Sequence, residues 1–184
     1  MKKIMFNDSY GLTKAVLEGR KTMTRRIVNF NRVPTLIPGR IAECCLKYAP
    51  FKPGEVVAIA QNYEDAGIDP ETLLSVNGKW VTACGTPGWR NKMFVSADYM
   101  NNFIRITNVR VERLQDISDE DCKKEGIDYV GGYSESYYFG HGVENIRLGN
   151  SYREAFAALI VKVSSKGTWK SNPWVFVYQF EIVK

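Results

Sequence analysis

The sequence predicts a single α+β domain whose main sheet curls toward a barrel. Strand-like and helix-like segments follow one another without regular β-α-β alternation, which disfavours a doubly wound fold. In the strand-like stretch from Phe103 to Leu114, Ile104 and Ile106 lie on one side of the strand but Val109 lies on the other. A β-bulge explains this change of side, and such a bulge bends a sheet. A chain of 184 residues is long enough to bury its own core. We therefore expect one domain over residues 1–184, with excursions from the core at about 63–91 and 127–150.

The first elements are a short strand and a helix that ends at a glycine. Lys3 to Phe6 reads as a strand, and Asn7 or Asp8 offers an N-cap to the helix that follows. Because Gly19 tolerates the left-handed conformation that closes a helix, we expect the chain to reverse there and to present Lys21 at the exit. The apolar face of this helix comprises Leu12, Ala15 and Val16.

The stretch from Glu18 to Arg26 concentrates cations and hydroxyls directly after this helix stop. Residues Thr22 to Val28 read as a strand, which places Thr22, Thr24 and Arg26 on one side. The cations of the stretch are Arg20, Lys21, Arg25 and Arg26. Catalytic and binding residues often lie at the end of a strand, where a rigid scaffold positions them. We therefore expect the functional site in this stretch.

The sequence of the middle of the chain predicts a buried strand that is followed by two residues with amide side chains. Residues 29–52 are irregular apart from a short helix around Ile41 to Leu46. Val56 to Ala60 is a continuous apolar run, typical of a strand buried on both faces. Gln61 and Asn62 follow it, and we expect them to face a pocket. A short hairpin is predicted through Leu74, Val76 and Trp80.

Capping residues indicate the helices of the second half. Ser118 caps a short helix with an acidic start, which puts Glu125 at the end of that helix. Ser151 and Glu154 form a capping box before a longer amphipathic helix. The last strand runs from Trp174 to Val183.

Composition favours anionic partners without demanding them. Lys plus Arg total 25 against 20 Asp plus Glu, a formal charge of +5. The N-terminal segment holds no signal-peptide apolar region and no apolar run is long enough to cross a bilayer, so we expect a cytoplasmic protein with no membrane contact. We interpret the four cysteines as reduced thiols. With His141 as the single histidine, we expect neither a metal nor a cofactor.

Residues Gly19 to Arg26 resemble the G-x-K-T-x-T-x-R signature of ASCH domains, which belong to the PUA-like superfamily. Further similar segments, some typical of phage and prophage members, extend the resemblance over most of the chain apart from the excursions. These segments are Gly54 to Ile59, Val109 to Ser118 with Glu125 to Ile127, and Asn172 to Val175. The resemblance implies a PUA-like curled β-sheet or β-barrel flanked by a few helices, with a cleft lined by the Lys21 segment. It also implies that the cleft recognises RNA, a nucleotide or a modified nucleoside.

A subset of small bacterial ASCH proteins are amidohydrolases that remove the acetyl group from N4-acetylcytidine with a Lys, a Thr and a Glu. The resemblance places those roles on Lys21, Thr24 and Glu125. A threonine hydroxyl needs a base to take its proton, and a lysine can serve once burial and neighbouring cations lower its pKa. The remaining candidate ligand-binding residues are Arg20, Thr22, Arg25, Arg26, Gln61 and Asn62.

We expect the function to be binding of RNA or a nucleoside-type ligand, with the amidohydrolase as the alternative. Arginines that include Arg32 would suit a phosphate-bearing ligand. A third interpretation is a phage accessory protein whose two excursions bind a protein partner, and an exposed apolar patch at Tyr133 to Phe139 would favour it. The remaining interpretation is that the threonines are ordinary strand residues and the cations form a solvated face. The chain also departs from phage members, which usually carry Arg-Glu-Thr where it has Ala60-Gln61-Asn62, so a carboxylate expected in the cleft is missing.

Overall fold

The computed structural model describes residues 1–130, 136–139 and 147–183, and its architecture is mixed α and β. In chain order the strands and α-helices are β1 (Lys3–Ile4), α1 (Leu12–Leu17), β2 (Met23–Ile27), α2 (Ile41–Lys47), β3 (Val56–Ile59), β4 (Leu73–Val76), β5 (Lys79–Thr82), β6 (Phe103–Arg113), α3 (Asp119–Lys124), β7 (Ile127–Val130), β8 (Ser136–Phe139), β9 (Arg147–Gly149), α4 (Tyr152–Val163), α5 (Thr168–Ser171) and β10 (Trp174–Val183). The α+β class predicted from the element order is confirmed.

The main sheet is mixed and has five strands in the order β1-β3-β6-β10-β2. β1 pairs with β3 in parallel, whereas β10 pairs with β2 antiparallel. Two smaller sheets are the hairpin β4-β5 and the antiparallel sheet β7-β8-β9. Within the described residues the main sheet does not close into a barrel.

The contacts of the chain divide it into two compact units. The first comprises Met1–Phe6 and Val56–Ile104 with the C-terminal end, and the second comprises Asn7–Glu55 and Arg105–Ile182. A single ASCH domain over the whole chain stays a prediction.

The first unit contains the predicted hairpin and a core of its own. In β3 the residues Val57, Ala58 and Ile59 are completely buried, as the apolar run predicted. Gly88 is also buried, and a side chain there would meet the ring of Tyr63. Other buried core residues of this unit are Leu74, Ala83, Val95, Ala97 and Met100.

The second unit packs helices and the small sheet around the strands that carry the candidate residues. Helix α4 contacts α3, α5 and the β7-β8-β9 sheet, and α3 contacts β2. In β10 the residues from Val175 to Tyr178 are all buried, so the first half of this strand is covered on both faces. This arrangement places β2 next to β10 in the sheet and in contact with α3.

The start of α1 differs from the prediction. Asp8–Tyr10 form a 3-10 turn, and Gly11, with φ of 64°, directly precedes the α-helix. Neither Asn7 nor Asp8 therefore caps α1. The Asp8 carboxylate instead accepts a hydrogen bond from the Thr13 hydroxyl at 2.5 Å. An inserted turn separates the polar residues from the helix that they were expected to cap.

No helix in the described part of the chain is both long and apolar enough to span a bilayer.

Candidate functional site

A turn after α1 directs Lys21 into the second unit. Gly19 adopts the left-handed conformation with φ of 73°, as expected for a helix stop. The N–H of Gly19 donates to the Val16 carbonyl and the N–H of Lys21 donates to the Ala15 carbonyl, both at 2.9 Å. These bonds close the end of the helix, and the side chain of Lys21 is only 2% exposed.

Helix α3 brings Glu125 next to Lys21. Ser118 caps this helix by accepting a hydrogen bond from the N–H of Asp121 at 3.2 Å, as predicted. Glu125 is the C-cap, and Gly126 follows with φ of 95°. The N–H of Thr22 donates to the Lys124 carbonyl at 2.8 Å and so joins the start of β2 to the end of α3.

Lys21 and Glu125 form a buried ion pair. The Lys21 Nζ donates to the Glu125 carboxylate and, at 3.0 Å, to the Glu125 backbone carbonyl. Glu125 is 3% exposed, so both charges are withdrawn from water. A buried pair needs further hydrogen bonds to offset the loss of hydration.

Arg25 of β2 supplies further bonds to Glu125 and to two neighbouring carboxylates. Its guanidinium donates to Glu125 Oε1 at 3.1 Å, to Asp121 Oδ2 at 2.6 Å and to Glu112 Oε1 at 2.7 Å. Arg110 in turn contacts both Glu112 and Asp121. We call this set the buried ion network, and it consists of Lys21, Arg25, Arg110, Glu112, Asp121 and Glu125.

The charges of the buried ion network balance when every member is ionised, since three cations face three carboxylates. The Arg25 side chain is 1% exposed and is occupied by these carboxylates. Its role in ligand binding stays a prediction.

Burial dominates the protonation of Lys21. Desolvation lowers the pKa of its amine, the Glu125 carboxylate opposes that change, and the charges of Arg26 and Arg25 add to it. A lysine whose pKa is lowered spends more time as the neutral amine, which is the form that can accept a proton.

Thr24 lies on the opposite face of β2 from Arg25. It is directly opposite Tyr178 of β10, and Arg26 is opposite Phe176, so these four side chains share a face. Thr24 is 5% exposed. Within the described residues, no hydrogen bond joins the Lys21 amine to the Thr24 hydroxyl. The structure therefore brings Lys21 to Glu125, but it does not link Thr24 to this pair.

Arg20 and Thr22 lie on either side of Lys21 in the chain, and each contacts other elements. The Arg20 guanidinium donates to Glu18 Oε2 at 2.6 and 2.9 Å and lies 3.6 Å from Asp128 Oδ2. Thr22 is half-buried and contributes backbone bonds to Lys124 and Phe180. Arg20 is therefore held by Glu18 and Asp128, and the backbone of Thr22 by Lys124 and Phe180.

Gln61 and Asn62 belong to the first unit, where their side chains support the turn after β3. Gln61 Nε2 donates to the Asp65 carbonyl at 3.0 Å, and Gln61 Oε1 accepts from Asn102 Nδ2 at 2.8 Å. Asn62 Oδ1 accepts from the N–H of Asp65 at 2.7 Å. Their predicted role in ligand binding stays a prediction.

A pocket of about 220 Å³ opens beside Arg26 in the second unit. Its lining combines two arginines and an asparagine with aromatic and aliphatic side chains. The lining residues are Arg26, Ile27, Asn29, Arg32, Val33, Tyr48, Pro50 and Phe176. We call this cavity the Arg26 pocket.

Sequence reasoning missed most members of the Arg26 pocket and half of the buried ion network, namely Arg110, Glu112 and Asp121. The network had a signal, because Arg110 and Glu112 are two apart on a strand while Asp121 and Glu125 are four apart on a helix, and each spacing puts a pair on one face. The pocket had no such signal, since its lining combines the end of β2 with residues between β2 and β3 and with Phe176 of β10.

Some other residues considered in the sequence analysis fall outside the described part of the chain. Of the aromatic segment from Tyr133 to Phe139, residues 133–135 lie outside the described residues, as does His141. The described residues contain no cluster of His, Cys, Asp and Glu side chains that could hold a metal ion.

Comparisons with protein families, characterised proteins and solved structures gave no match to this chain.

Proposed function

We propose that this chain is a PUA-like ASCH protein that binds RNA, or a nucleotide or modified nucleoside, in a basic cleft next to Lys21 and Thr24. The observation that carries the proposal is the Arg26 pocket. Arg26 and Phe176 both line it, and they are cross-strand partners on the face of β2 that also carries Thr24. The curled PUA-like sheet remains part of this proposal.

The chemistry of the Arg26 pocket suits a small aromatic ligand with polar groups. Ligand sites are usually concave and mostly apolar, with a few polar groups that fix orientation. Phe176 and Pro50 provide apolar surface, while Arg26 and Asn29 provide hydrogen-bond donors. Unpaired bases are commonly recognised by such a combination of stacking and donors.

Binding measurements test this proposal. We expect wild-type protein to bind at least one ligand among short single-stranded RNA, the common nucleosides, their monophosphates and N4-acetylcytidine. Arg26→Gln should weaken that binding, because Arg26 lines the pocket. Lys166→Gln is the control, since it removes the same charge at an exposed position of the same unit. Absence of binding to every ligand in the set would contradict the proposal.

A second candidate function is hydrolysis of an acyl amide on an N4-acetylcytidine-type nucleoside. The buried contact between Lys21 and Glu125, with the lowered pKa of Lys21, favours it. In this reaction Lys21 removes the proton of the Thr24 hydroxyl, whose oxygen attacks the acyl carbon. The C–N bond breaks, and the nucleoside amine leaves with a proton that Glu125 helps to deliver. Water then hydrolyses the acyl-threonine ester to acetate and free Thr24.

Mass spectrometry distinguishes hydrolysis from binding alone. If the chain is an amidohydrolase, incubation with N4-acetylcytidine should release cytidine, and Thr24→Ala and Lys21→Ala should abolish release. Thr107→Ala, which changes an exposed threonine of β6, should retain it. Release that survives in the Thr24 and Lys21 variants would overturn the mechanism, and a wild-type protein that releases none would leave binding as the function.

A further inference from the structure

The second unit contains another pocket, with a volume of about 180 Å³. We call it the Trp174 pocket, and it is lined by Gly39, Arg40, Ile41, Ala42, Glu43 and Trp174. We propose that the Arg26 pocket and the Trp174 pocket hold the bases of two neighbouring nucleotides, so that the ligand is a single strand of RNA and not a free nucleoside. This inference rests on the proposed function and narrows it.

The two pockets lie next to each other on one face of the main sheet. Phe176 lines the Arg26 pocket, Trp174 lines the Trp174 pocket, and both residues belong to β10. Residues two apart on a strand point to the same face and are separated by about 7 Å. Successive bases of a stacked strand are only about 3.4 Å apart. The bases in the two pockets are therefore unstacked from each other, as they are when a protein splays out a single strand of RNA.

Helix α2 supports the same placement. Its N-cap Arg40 and its first residues line the Trp174 pocket, and its C-cap Tyr48 lines the Arg26 pocket. The seven residues of α2 correspond to a helix about 10 Å long. One short helix thus reaches from one pocket to the other and keeps the two at a fixed, short separation.

The chemistry of the Trp174 pocket suits a base better than a phosphate. Its two charged residues compensate each other, since the Arg40 guanidinium donates to Glu43 Oε2 at 2.5 and 2.9 Å. The other lining residues carry no charged group, and they include the indole of Trp174. Aromatic rings stack on unpaired bases of any identity, because every base has a π-face. The volume is below the roughly 300–1,000 Å³ of pockets for drug-sized ligands, so it suits one base and not a whole nucleotide.

The Trp174 ring has a cation beside it. The guanidinium carbon of Arg113 lies 4.6 Å from the centroid of this ring, and Arg113 Nη1 donates to the Asn172 carbonyl at 3.1 Å. The N–H of Val28 donates to the Trp174 carbonyl at 2.9 Å, which fixes the backbone that carries the ring. Arg113 is exposed, so its guanidinium is accessible to the phosphodiester of a strand whose base stacks on Trp174. A ring that is already positioned loses less entropy on binding.

Ligands of increasing length test whether the two pockets act together. Binding of the four common nucleosides, and of the matching dinucleotide and hexanucleotide RNAs, would be measured for wild-type protein, Trp174→Leu and Trp80→Leu. At least one dinucleotide should bind about 10-fold or more tightly than its nucleoside, because a second base stacks. Trp174→Leu should remove about 10-fold of the dinucleotide affinity and change nucleoside affinity by less than about two-fold. Trp80→Leu is the control, since Trp80 is 72% exposed in the first unit, and it should have little effect.

Two further variants test the same inference without removing an aromatic ring from the pocket. Binding of the hexanucleotide should quench the tryptophan fluorescence of the wild-type protein, and Trp174→Phe should remove most of that change while it preserves binding. Arg113→Gln should lower the slope of log affinity against log salt concentration for the hexanucleotide by about 0.7, the value for one phosphate contact of a single strand. Quenching and a salt slope that both stay at the wild-type values would overturn the inference.

The outcomes distinguish this inference from the proposed function. Dinucleotides that bind no more tightly than their nucleosides, or that bind equally well to wild-type protein and Trp174→Leu, would overturn the inference, while binding of the nucleosides would leave the proposed function standing. Failure of every nucleoside and every RNA, together with the other ligands named above, would overturn the proposed function itself.

Discussion

At the scale of single residues, the site depends on how buried charges are compensated. Glu125 contacts Lys21 and Arg25 at once, with Lys21 on the turn before β2 and Arg25 within β2. Removing one member of such a set leaves the other charges in a poorly solvated environment. We therefore expect stability to depend strongly on Glu125.

Replacing Glu125 by glutamine should strongly destabilise the protein. The change keeps the shape of the side chain but leaves Lys21 and Arg25 with one counter-charge fewer, and breaking a buried pair costs about 3–5 kcal/mol. Chemical denaturation monitored by circular dichroism would measure this free energy of unfolding. Glu120→Gln, at an exposed position of α3, is the control and should change stability much less. Equal effects of the two substitutions would show that the Glu125 contacts contribute little.

The lowered pKa of Lys21 predicts a dependence of stability on pH. Between the lowered pKa of the folded state and the ordinary lysine value of 10.5, the unfolded chain binds more protons than the folded protein. The free energy of unfolding should therefore rise with pH across that window. Denaturation curves of wild-type protein and Lys21→Met at several pH values would isolate this contribution. If the difference between the two proteins did not change with pH, the amine would not be perturbed by burial.

At the scale of elements, short helices and turns position the chemistry. Helix α3 has only six residues, yet its end holds Glu125 and its last carbonyl accepts the N–H of Thr22. A helix this short depends on its cap and on tertiary contacts, because isolated short helices are marginal in water. The position of Glu125 is thus tied to the cap at Ser118.

Removing the cap should loosen the end of α3. Ser118→Ala deletes the acceptor for the N–H of Asp121, and loss of an N-cap typically costs about 1 kcal/mol. We expect a fall in stability of this size and faster hydrogen exchange of the amides in α3. Ser164→Ala, an exposed serine that follows α4, serves as the comparison. Unchanged exchange in α3 would mean that its contacts, and not the cap, hold the helix.

In the first unit, Gly88 allows a close approach between the backbone and Tyr63. A Cβ at this position would lie 2.5 Å from Tyr63 Cε2 and 3.1 Å from Val95 Cγ2. Gly88→Ala should therefore destabilise the protein by about 1–3 kcal/mol, because a packed core must shift to accept the methyl group. Gly85→Ala meets only Thr82 Oγ1 at 3.2 Å and should cost less. Thermal unfolding of the two variants would compare them, and an equal fall in melting temperature would contradict the packing argument.

At the scale of the whole molecule, the candidate residues divide between the two units. Lys21, Thr24, Arg26 and Glu125 belong to the second unit, and Gln61 and Asn62 belong to the first. The buried ion network and the Arg26 pocket are each built within the second unit. The proposals for binding and hydrolysis therefore rest on that unit alone.

Local patterns in the sequence determined several of the elements and some of their ends. An apolar run indicated β3, the last strand was expected where β10 lies, and the capping serines located the starts of α3 and α4. These features depend on neighbouring residues, so they can be read along the chain. The motif around Lys21 also directed attention to β2, and Glu125 was expected at the end of α3.

Only the tertiary structure decided which side chains meet. The contact of Lys21 with Glu125 joins residues 104 positions apart in the chain, and the contact of Arg25 with Glu112 joins residues 87 apart. Strand order and register determine which side chains come into contact, and neither can be deduced from the periodicity of a single segment. The same reason explains why the Arg26 pocket was not predicted although β2 was, because the pocket joins the end of β2 to residues between β2 and β3 and to Phe176.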